Sequence, residues 1–341
     1  MIIYMYKAPT DKVRFGVVGT NFITDWVIAG GREDDRFEPV AVYSRTEETA
    51  RAFAAKHRIP HTFTSLEAMA ASDLIDAVYI ASPNAFHASQ SILCMKHGKH
   101  VLCEKALASN AAEVRKMQET ANHRQVVLME AMKPTLTPGF RAVREALSEI
   151  GTVRQYFACY CQYSSRYDKL KEGTVLNAFN PAMSNGAVMD IGVYTLYPMV
   201  VLFGRPRTVQ ASSIKLYSGV DGHGSVNFTY DNGLNATVLY SKMADSRLPT
   251  EIQGEQGRIV LNRINLISEV VLTLRNGESK NIMPQVDRNE YYYEVAEFID
   301  LIQSGRSESK VNSFENSLIT IEIMDEIRRQ AGVVFPADKG V

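Results

Sequence analysis

The chain has 341 residues, 45% of them hydrophobic and 22% charged, with a formal net charge of −1. These values are ordinary for a globular protein and allow about two domains. A net charge close to zero gives no reason to expect nucleic acid or an anionic membrane as a partner. The longest apolar run, near residues 193–203, is shorter than the roughly 20 residues that a membrane helix needs. We therefore expect no nucleic-acid partner and no membrane partner.

The N-terminus lacks the basic and then apolar pattern of a signal peptide, which favours a cytoplasmic protein. Four cysteines are too few and too scattered for a disulfide framework. Cys159 and Cys161 lie two residues apart in a strand-like run, so both thiols should face the same way. They could form half of a metal site, but no second ligand pair follows at a zinc spacing. Buried, reduced thiols are the favoured interpretation, and no metal site is predicted.

In the first part of the chain, apolar strand-like runs alternate with segments of helical period. The runs are Arg14–Val18, Pro39–Ser44, Ala77–Ala81, His100–Cys103 and Val126–Met129, and the helical segments are Glu47–His57, Ser65–Ser72, His87–His97 and Asn110–His123. Continuous apolar character is typical of strands that are covered on both faces. The alternation predicts an α/β domain over residues 1–132, with a doubly wound parallel sheet of the Rossmann type.

After Pro134 the pattern changes. The features are a helix over about 139–150, a long alternating strand over 152–163, a helix near 187–203, hairpin turns at Asp231-Asn232-Gly233 and Asn276-Gly277, and closing helices over about 290–304 and 312–331. Such turns join antiparallel strands. Residues 133–341 are therefore predicted to form an α+β domain on a large, mostly antiparallel sheet.

The first apolar run ends at a turn containing Gly19, and a helical segment follows. A glycine allows a tight turn here, and the helix N-terminus offers N–H groups and a favourable dipole to a pyrophosphate. Against G-x-G-x-x-G the match is degraded, although Asn21 could still make a left-handed turn. A strand–turn–helix without a ligand is the alternative. The predicted cofactor contacts are Gly19, Thr20, Asn21, Phe22 and Ile23.

The second run ends in Ser44-Arg45, with no acidic residue at the strand end. A carboxylate there would bind the ribose 2′-hydroxyl of NAD, whereas an arginine accommodates the 2′-phosphate of NADP. Arg45 supplies a planar, charged donor and Ser44 a hydroxyl group. A solvated arginine that opens the next helix is the alternative. This segment favours NADP, with NAD still possible.

The strand at Ala77–Ala81 is followed by Ser82-Pro83-Asn84, and His87 opens the next helix. Ligands of such sheets bind outside the carboxyl ends of the strands. Pro83 would fix an extended turn and leave Asn84 able to reach the nicotinamide ribose. Helix N-capping is the alternative for Asn84 and His87. These four residues are predicted to contact the cofactor.

The segment 98–105 reads Gly-Lys-His-Val-Leu-Cys-Glu-Lys and ends in Glu104-Lys105. It closely resembles a motif of the Gfo/Idh/MocA oxidoreductases, Gly-Lys-His-Val followed by Glu-Lys-Pro. That family includes glucose–fructose oxidoreductase, inositol dehydrogenase and dimeric dihydrodiol dehydrogenase. The resemblance extends from about residue 13 to residue 335. It implies that Lys105 lies against the nicotinamide, with Glu104 in the cofactor site, and Ala106 replaces the motif's proline.

A second segment, from Asn185 to Tyr194, is similar to the family's Gly-Gly-x-x-x-Asp-x-Gly-x-His. Asp190 matches the aspartate. Tyr194 replaces the histidine, as in the glucose–fructose oxidoreductase and dihydrodiol dehydrogenase branches. On a helix these two positions are i and i+4, so both side chains project from one face. We predict that Lys105, Asp190 and Tyr194 are catalytic and that Asp190 and Tyr194 also bind the substrate.

Oxidation of a secondary alcohol needs a hydride acceptor and a group that takes the hydroxyl proton. Free lysine and tyrosine have pKa values near ~10, too high for an efficient base at neutral pH. A positive nicotinamide or partial desolvation lowers the pKa of a neighbouring lysine. Asp190 could orient Lys105 or bind a substrate hydroxyl. The sequence leaves open whether Lys105 or Tyr194 transfers the proton.

The segment after the long strand is rich in groups that suit a polyol. Tyr163 and Arg166 are candidate substrate contacts, and a solvated surface loop is the alternative. Lys133 stands where the dihydrodiol branch tends to carry tryptophan, which favours a more polar substrate than a flat aromatic ring.

These features predict an NADP-dependent oxidoreductase that acts on a secondary hydroxyl or carbonyl of a sugar, polyol or cyclic diol. An NAD-dependent enzyme of the same family and a non-catalytic dinucleotide sensor are the alternatives. A large sheet with an uncovered face usually needs a partner, so the resemblance implies a homodimer or homotetramer.

Overall fold

A computed structural model describes residues 11–340 of the chain. The strands are β1 (Val13–Val18), β2 (Phe37–Tyr43), β3 (His61–Phe63), β4 (Ala77–Ile80), β5 (His100–Glu104), β6 (Leu128–Ala131), β7 (Val153–Cys161), β8 (Thr208–Lys215), β9 (Asp221–Thr229), β10 (Asn235–Ser241), β11 (Thr250–Gly254), β12 (Gly257–Leu261), β13 (Val270–Leu274) and β14 (Ser279–Asn281). The helices are α1 (Phe22–Gly31), α2 (Glu47–His57), α3 (Leu66–Ala71), α4 (His87–Lys96), α5 (Ala111–Arg124), α6 (Pro138–Ala146), α7 (Ser165–Lys171), α8 (Val193–Phe203), α9 (Tyr292–Ser304) and α10 (Phe314–Ala331).

The described chain divides into two compact units. Unit 1 contains the described residues up to Ala108, together with Ala112–Lys133 and Asp287–Phe314. Unit 2 contains Ser109–Ala111, Pro134–Val286 and the described residues from Glu315 onward.

Unit 1 is built on a six-stranded sheet with the order β3-β2-β1-β4-β5-β6. All of its strand pairs are parallel. The central strands are buried because helices cover both faces, and this confirms the predicted doubly wound Rossmann sheet. The edge strand β3 was not predicted, since its three residues are mostly exposed and form no apolar run.

Helix α9 belongs to unit 1, although the sequence places it in the second domain. Its buried Val295, Phe298 and Ile299 lie on one face. The ring of Phe298 lies 5.9 Å from that of Phe15 on β1. The chain therefore returns to the first sheet after completing most of unit 2. Local periodicity defines the helix but does not say which sheet its apolar face will contact.

Unit 2 is built on an eight-stranded sheet with the order β14-β13-β12-β11-β7-β10-β9-β8. Its pairs are antiparallel except for β7 with β10, which confirms a mostly antiparallel sheet. Side chains alternate along β7, so that Tyr156 and Ala158 are buried while Phe157 is partly exposed. The strands β8, β11 and β12 were not predicted from the sequence.

A π-helical turn at Val188–Gly192 leads directly into α8. Within residues 11–340, Pro181–Phe203 is the one helical stretch long and apolar enough to cross a membrane by length and composition. It is longer than the apolar run noted in the sequence because short helical turns precede α8. Of the 18 most apolar consecutive residues in this stretch, 72% are buried inside the protein, as in a core helix.

Candidate functional site

The turn between β1 and α1 can be made only with a glycine. Gly19 has φ +103°, a left-handed conformation that costs other residues strain. A Cβ atom at this position would also lie 2.5 Å from the carbonyl oxygen of Ala81, at the end of β4. The glycine thus lets the chain pass close to the neighbouring strand end and enter the helix.

Asn21 acts through its side chain and not by a left-handed backbone, as the sequence had allowed. Its backbone is extended, with φ −93°. Its Oδ1 atom caps α1 by accepting hydrogen bonds from the N–H groups of Ile23 and Thr24 at 2.9 and 3.4 Å. Its Nδ2 atom donates to the carbonyl oxygen of Ala81 at 2.9 Å. The cap fixes the helix N-terminus, whose dipole favours an anionic group such as a pyrophosphate.

Ser44 and Arg45 follow β2 at the same edge of the sheet. Ser44 is half-buried and Arg45 is exposed. The guanidinium of Arg45 has no hydrogen-bond or ion-pair partner among residues 11–340. The nearby Glu47 is paired with Arg51 at 2.5 Å. An unpaired guanidinium beside a hydroxyl group fits the 2′-phosphate of NADP.

The segment after β4 is held by His87, which is completely buried. Its Nδ1 atom is hydrogen-bonded to the carbonyl oxygen of Ala106 at 2.9 Å, and its Nε2 atom to that of Ser82 at 2.7 Å. Burial lowers the pKa of His87. Because both ring nitrogens have protein partners, we expect His87 to hold two turns in place and not to contact the cofactor directly.

Asn84 begins a short 3₁₀ turn, whose N-cap is Pro83 and has no side-chain capping bond. Helix α4 also begins without a side-chain cap. His87 does not cap a helix, because both of its ring nitrogens are bonded to backbone carbonyl oxygens, and the role of Asn84 stays a prediction. The hydroxyl of Ser82 donates to Gln90 Oε1 at 2.7 Å.

Lys105 directly follows β5, and the side chain of Glu104 supports it. The Glu104 carboxylate accepts hydrogen bonds from the Tyr79 hydroxyl at 2.8 Å and from the Lys105 backbone N–H at 3.2 Å. Burial raises the pKa of Glu104, while the positive charge of Lys105 opposes that rise. The peptide bond between Lys105 and Ala106 is cis. Glu104 thus holds the backbone that carries the predicted catalytic lysine.

In unit 2, Asp190 and Tyr194 stand out by their exposure. Every other residue from 186 to 200 is buried, while these two are partly exposed. Asp190 lies in the π-helical turn and Tyr194 in the first turn of α8, so their projection from one face of a single helix remains a prediction. The ring of Tyr194 packs edge-on against Tyr160 at 5.6 Å.

Lys242, which the sequence analysis did not identify, holds Asp190 in place. Its Nζ atom lies 2.6 Å from Asp190 Oδ2 and 3.2 Å from the carbonyl oxygen of Ala178. The ammonium group also lies 4.8 Å from the centre of the Phe179 ring. The Lys242 side chain is 3% exposed and that of Asp190 is 31% exposed. The aspartate thus has a buried cation behind it and an accessible face in front.

Asp221 is a second buried group that the sequence did not indicate. Its carboxylate accepts hydrogen bonds from the N–H groups of Ala187 and Val188 at 3.1 and 2.8 Å. A Cβ atom on Gly186 would lie 2.3 Å from Asp221 Oδ1. Burial raises the pKa of Asp221 to about 6. The glycine of the second motif thus makes room for a carboxylate that starts the helical segment.

Tyr163 precedes the N-cap of α7 and Arg166 lies in its first turn, in a segment that the sequence had treated as a loop. The Tyr163 hydroxyl donates to Asp168 at 2.7 Å and accepts from Lys171 at 2.8 Å. Arg166 is exposed. Their role as substrate contacts remains a prediction.

Lys133 directs its ammonium group into unit 1. It lies 2.5 Å from Glu290 Oε2 and 4.4 Å from the centre of the Tyr291 ring. The side chain is 11% exposed. Because this lysine is engaged internally, it does not support the inference of a more polar substrate.

Cys159 and Cys161 face the same way, with their sulfur atoms 3.7 Å apart. Hydrogen bonding between the two thiols lowers the pKa of Cys159 to about 6. Among residues 11–340 there is no group of three or more His, Cys, Asp or Glu side chains that could hold a metal ion.

A glycine turn at a helix N-terminus and a strand-end lysine in the same doubly wound sheet are the features of a dinucleotide-dependent oxidoreductase. The chain matches the oxidoreductase family with an NAD-binding Rossmann fold, GFO_IDH_MocA, over residues 13–132. It matches the GFO/IDH/MocA C-terminal domain over residues 140–260. The chain therefore belongs to the Gfo/Idh/MocA family of oxidoreductases.

Two relatives are similar over nearly the whole chain. One is the scyllo-inositol 2-dehydrogenase (NADP(+)) IolU of Bacillus subtilis (strain 168), which is 51% identical over 327 residues and covers 96% of this chain and 99% of its own. The other is the trans-1,2-dihydrobenzene-1,2-diol dehydrogenase of Homo sapiens, which is 28% identical over 340 residues with the same coverage.

Solved structures share the fold. The 3-ketoreductase KijD10 from Actinomadura kijaniata, in complex with NADP and TDP-benzene, has a TM-score of 0.82 at 22% identity and covers 94% of this chain and 98% of its own. The aldose-aldose oxidoreductase from Caulobacter crescentus has a TM-score of 0.83 at 19% identity with the same coverage. At these identities the similarity is one of fold.

The first prediction concerns the turn at Gly19. We expect Gly19→Ala to weaken NADPH binding by about tenfold or more, because the added methyl group would push the turn away from Ala81. Fluorescence titration that follows Trp26 measures the affinity. Gly98→Ala is the control, since Gly98 has φ +76° but no atom within 4 Å of an added Cβ. The control should lose about 1–2 kcal/mol of stability and keep NADPH affinity. Equal affinity in both variants would contradict this account.

The second prediction concerns Lys242. We expect Lys242→Met to lower turnover by about 100-fold, because Asp190 would lose the cation that fixes its position. NADPH affinity should not change, since the glycine turn lies in unit 1. Steady-state kinetics and NADPH titration separate the two effects. The control is Lys280→Met, which removes an exposed pair with Glu149 that contributes about 0–1 kcal/mol. Unchanged turnover in Lys242→Met would show that the ion pair only stabilises the fold.

Proposed function

We propose that this protein is an NADP-dependent dehydrogenase that transfers a hydride between the nicotinamide and a secondary hydroxyl or carbonyl group of a cyclic polyol. The observation that carries the proposal is the 51% identity to an NADP-dependent scyllo-inositol dehydrogenase over nearly the full length of both chains. Sugars are the second candidate class of substrate, because a structural neighbour at 19% identity is named as an aldose-aldose oxidoreductase.

Unit 1 would hold the dinucleotide. The turn at Gly19 and the capped N-terminus of α1 suit the pyrophosphate, and the exposed Arg45 suits a 2′-phosphate. When bound, the nicotinamide supplies the hydride acceptor or donor. Lys105, which is held through its backbone by Glu104, would lie at the reacting end.

The proton of the substrate hydroxyl has two candidate acceptors, Lys105 and Tyr194. Asp190, which Lys242 holds in place and whose side chain is 31% exposed, would accept a hydrogen bond from a substrate hydroxyl. Tyr163 and Arg166 would bind the remaining hydroxyl groups.

We also propose that the protein is cytoplasmic and forms a homodimer or homotetramer through the sheet of unit 2. Four apolar side chains that are partly exposed support this surface, namely Phe157, Leu239, Val260 and Val271. They lie on four strands of one sheet, opposite its buried face. Apolar side chains grouped in this way are typical of association surfaces.

The proposed function is tested by following NADP⁺ reduction with a panel of inositols, other cyclic polyols and aldoses. We expect turnover with at least one cyclic polyol. Lys105→Met should abolish turnover while NADPH still binds, because the variant keeps the Glu104 contact to the backbone but lacks the amine. Retained turnover in Lys105→Met would overturn the assigned mechanism. Tight NADPH binding without turnover on the whole panel would instead favour a dinucleotide sensor.

Cofactor preference is tested at Arg45. We expect Arg45→Ala to lose about 1–3 kcal/mol of NADPH binding and none of its NADH binding, because only NADPH carries the 2′-phosphate. Titration of both cofactors measures the difference. Arg51→Ala removes another exposed arginine from the same region and should leave both affinities unchanged. An unchanged NADPH affinity in Arg45→Ala would favour the NAD-dependent alternative.

A further inference from the structure

Unit 1 contains a carboxyl group that the proposed mechanism does not use. Glu294 lies in the first turn of α9 and is completely buried. Neither of its carboxylate oxygens has a hydrogen-bond partner within residues 11–340. An ionised carboxylate in such surroundings is strongly unfavourable, and a buried acid without a partner usually binds a proton instead. The position of this group therefore needs an explanation.

The charged groups around Glu294 do not balance unless one acid is neutral. The ionisable groups that act on it are Tyr79 on β4, Glu104 at the end of β5, Lys133 after β6, and Glu290 before α9. Lys133 is already paired with Glu290 at 2.5 Å. Glu104 has the positive charge of Lys105 beside it. Three carboxyl groups thus share two ammonium groups, and Glu294 is the one left over.

The direction of the pKa changes agrees with this count. Burial raises the pKa of Glu294 well above its ordinary value, and the negative charge of Glu104 raises it further. Burial also raises the pKa of Tyr79, followed by the charges of Glu104 and Glu294. Tyr79 therefore lies close to both carboxyl groups and remains a hydroxyl donor to Glu104.

We propose that Glu294 is a positioning residue, a neutral carboxylic acid that leaves Glu104 as the ionised acceptor for Tyr79 and for the backbone of Lys105. If Glu294 lost its proton, two carboxylates would repel each other inside unit 1. Glu104 would then move away or bind a proton, and its hydrogen bond to the Lys105 N–H would weaken. This inference rests on the proposed function, in which Lys105 is catalytic.

Infrared spectroscopy tests the protonation directly and needs no activity. Wild-type protein at neutral pH should show the carbonyl band of a protonated carboxylic acid that is absent from Glu294→Gln. Glu297→Gln, at a partly exposed position of the same helix, is the control and should keep the band. If Glu294→Gln does not fold, Glu294→Asp keeps an acid and should shift the band. The absence of any such band from wild-type protein would overturn the proposal.

Thermal unfolding over about pH 5–8 gives a second test. The pKa of Glu294 is raised on folding, so its contribution to stability is fully present below its unfolded value and is lost as the pH rises through the folded value. Glu294→Gln cannot ionise. Its melting temperature relative to wild type should therefore rise with pH, whereas the difference for Glu297→Gln should stay constant. A constant difference for Glu294→Gln would contradict a neutral Glu294.

The positioning role has its own measurement. In wild type, kcat should fall at alkaline pH as Glu294 ionises, and in Glu294→Gln this fall should shift to higher pH or disappear. A purely structural residue would change the stability but not the pH profile. If Glu294 is protonated but the pH profile of kcat is the same in wild type and Glu294→Gln, the positioning role is refuted and only the neutral state of Glu294 stands. If the wild type oxidised no polyol, the proposed function would fail, while the infrared and unfolding tests would still decide the state of Glu294.

Discussion

The parallel pairing of β1 with β4 at the centre of the first sheet brings their carboxyl ends so close that Gly19 has no room for a side chain. The other turns at this edge of the sheet depend on the close approach of these two strand ends. Asn21 bonds to the end of β4, and His87 joins the turn after β4 to the turn after β5. Each successive turn is therefore fixed by the one before it. Hydrogen bonds from the side chains of Asn21 and His87 to backbone carbonyl oxygens thus connect the glycine turn to the turn that contains Lys105.

Unit 2 uses buried charge for the same purpose. Lys242 and Asp221 are almost completely buried, yet each has a partner in the segment that leads into α8. The pair with Lys242 fixes Asp190, and Asp221 starts the helical segment. Buried charges of this kind contribute little net stability, because desolvation offsets much of the attraction. Their benefit is a defined position for the carboxylate of Asp190 within an otherwise apolar segment.

Much of the site could be predicted from the sequence because its residues lie in continuous motifs. Gly19, Glu104-Lys105 and Asp190 with Tyr194 each follow or begin a regular element, and local spacing fixes their direction. Lys242 and Glu294 gave no such signal. Lys242 meets Asp190 across 52 residues of chain, and Glu294 reads as an ordinary surface glutamate in a helix. Lys133 is the converse case, since its charge suggested a more polar substrate, yet its ammonium group is paired with Glu290.

The sequence by itself determined the two kinds of sheet, because apolar runs and turn signals are local properties of the chain. It also determined the family and the order of the motifs. Only the tertiary structure decided that α9 packs on the first sheet, that β7 and β10 pair in parallel, and that Asn21 acts as a cap. The physical reason is that an apolar face or a charged side chain specifies the type of surface it needs. Which surface satisfies it depends on contacts between residues far apart in the chain.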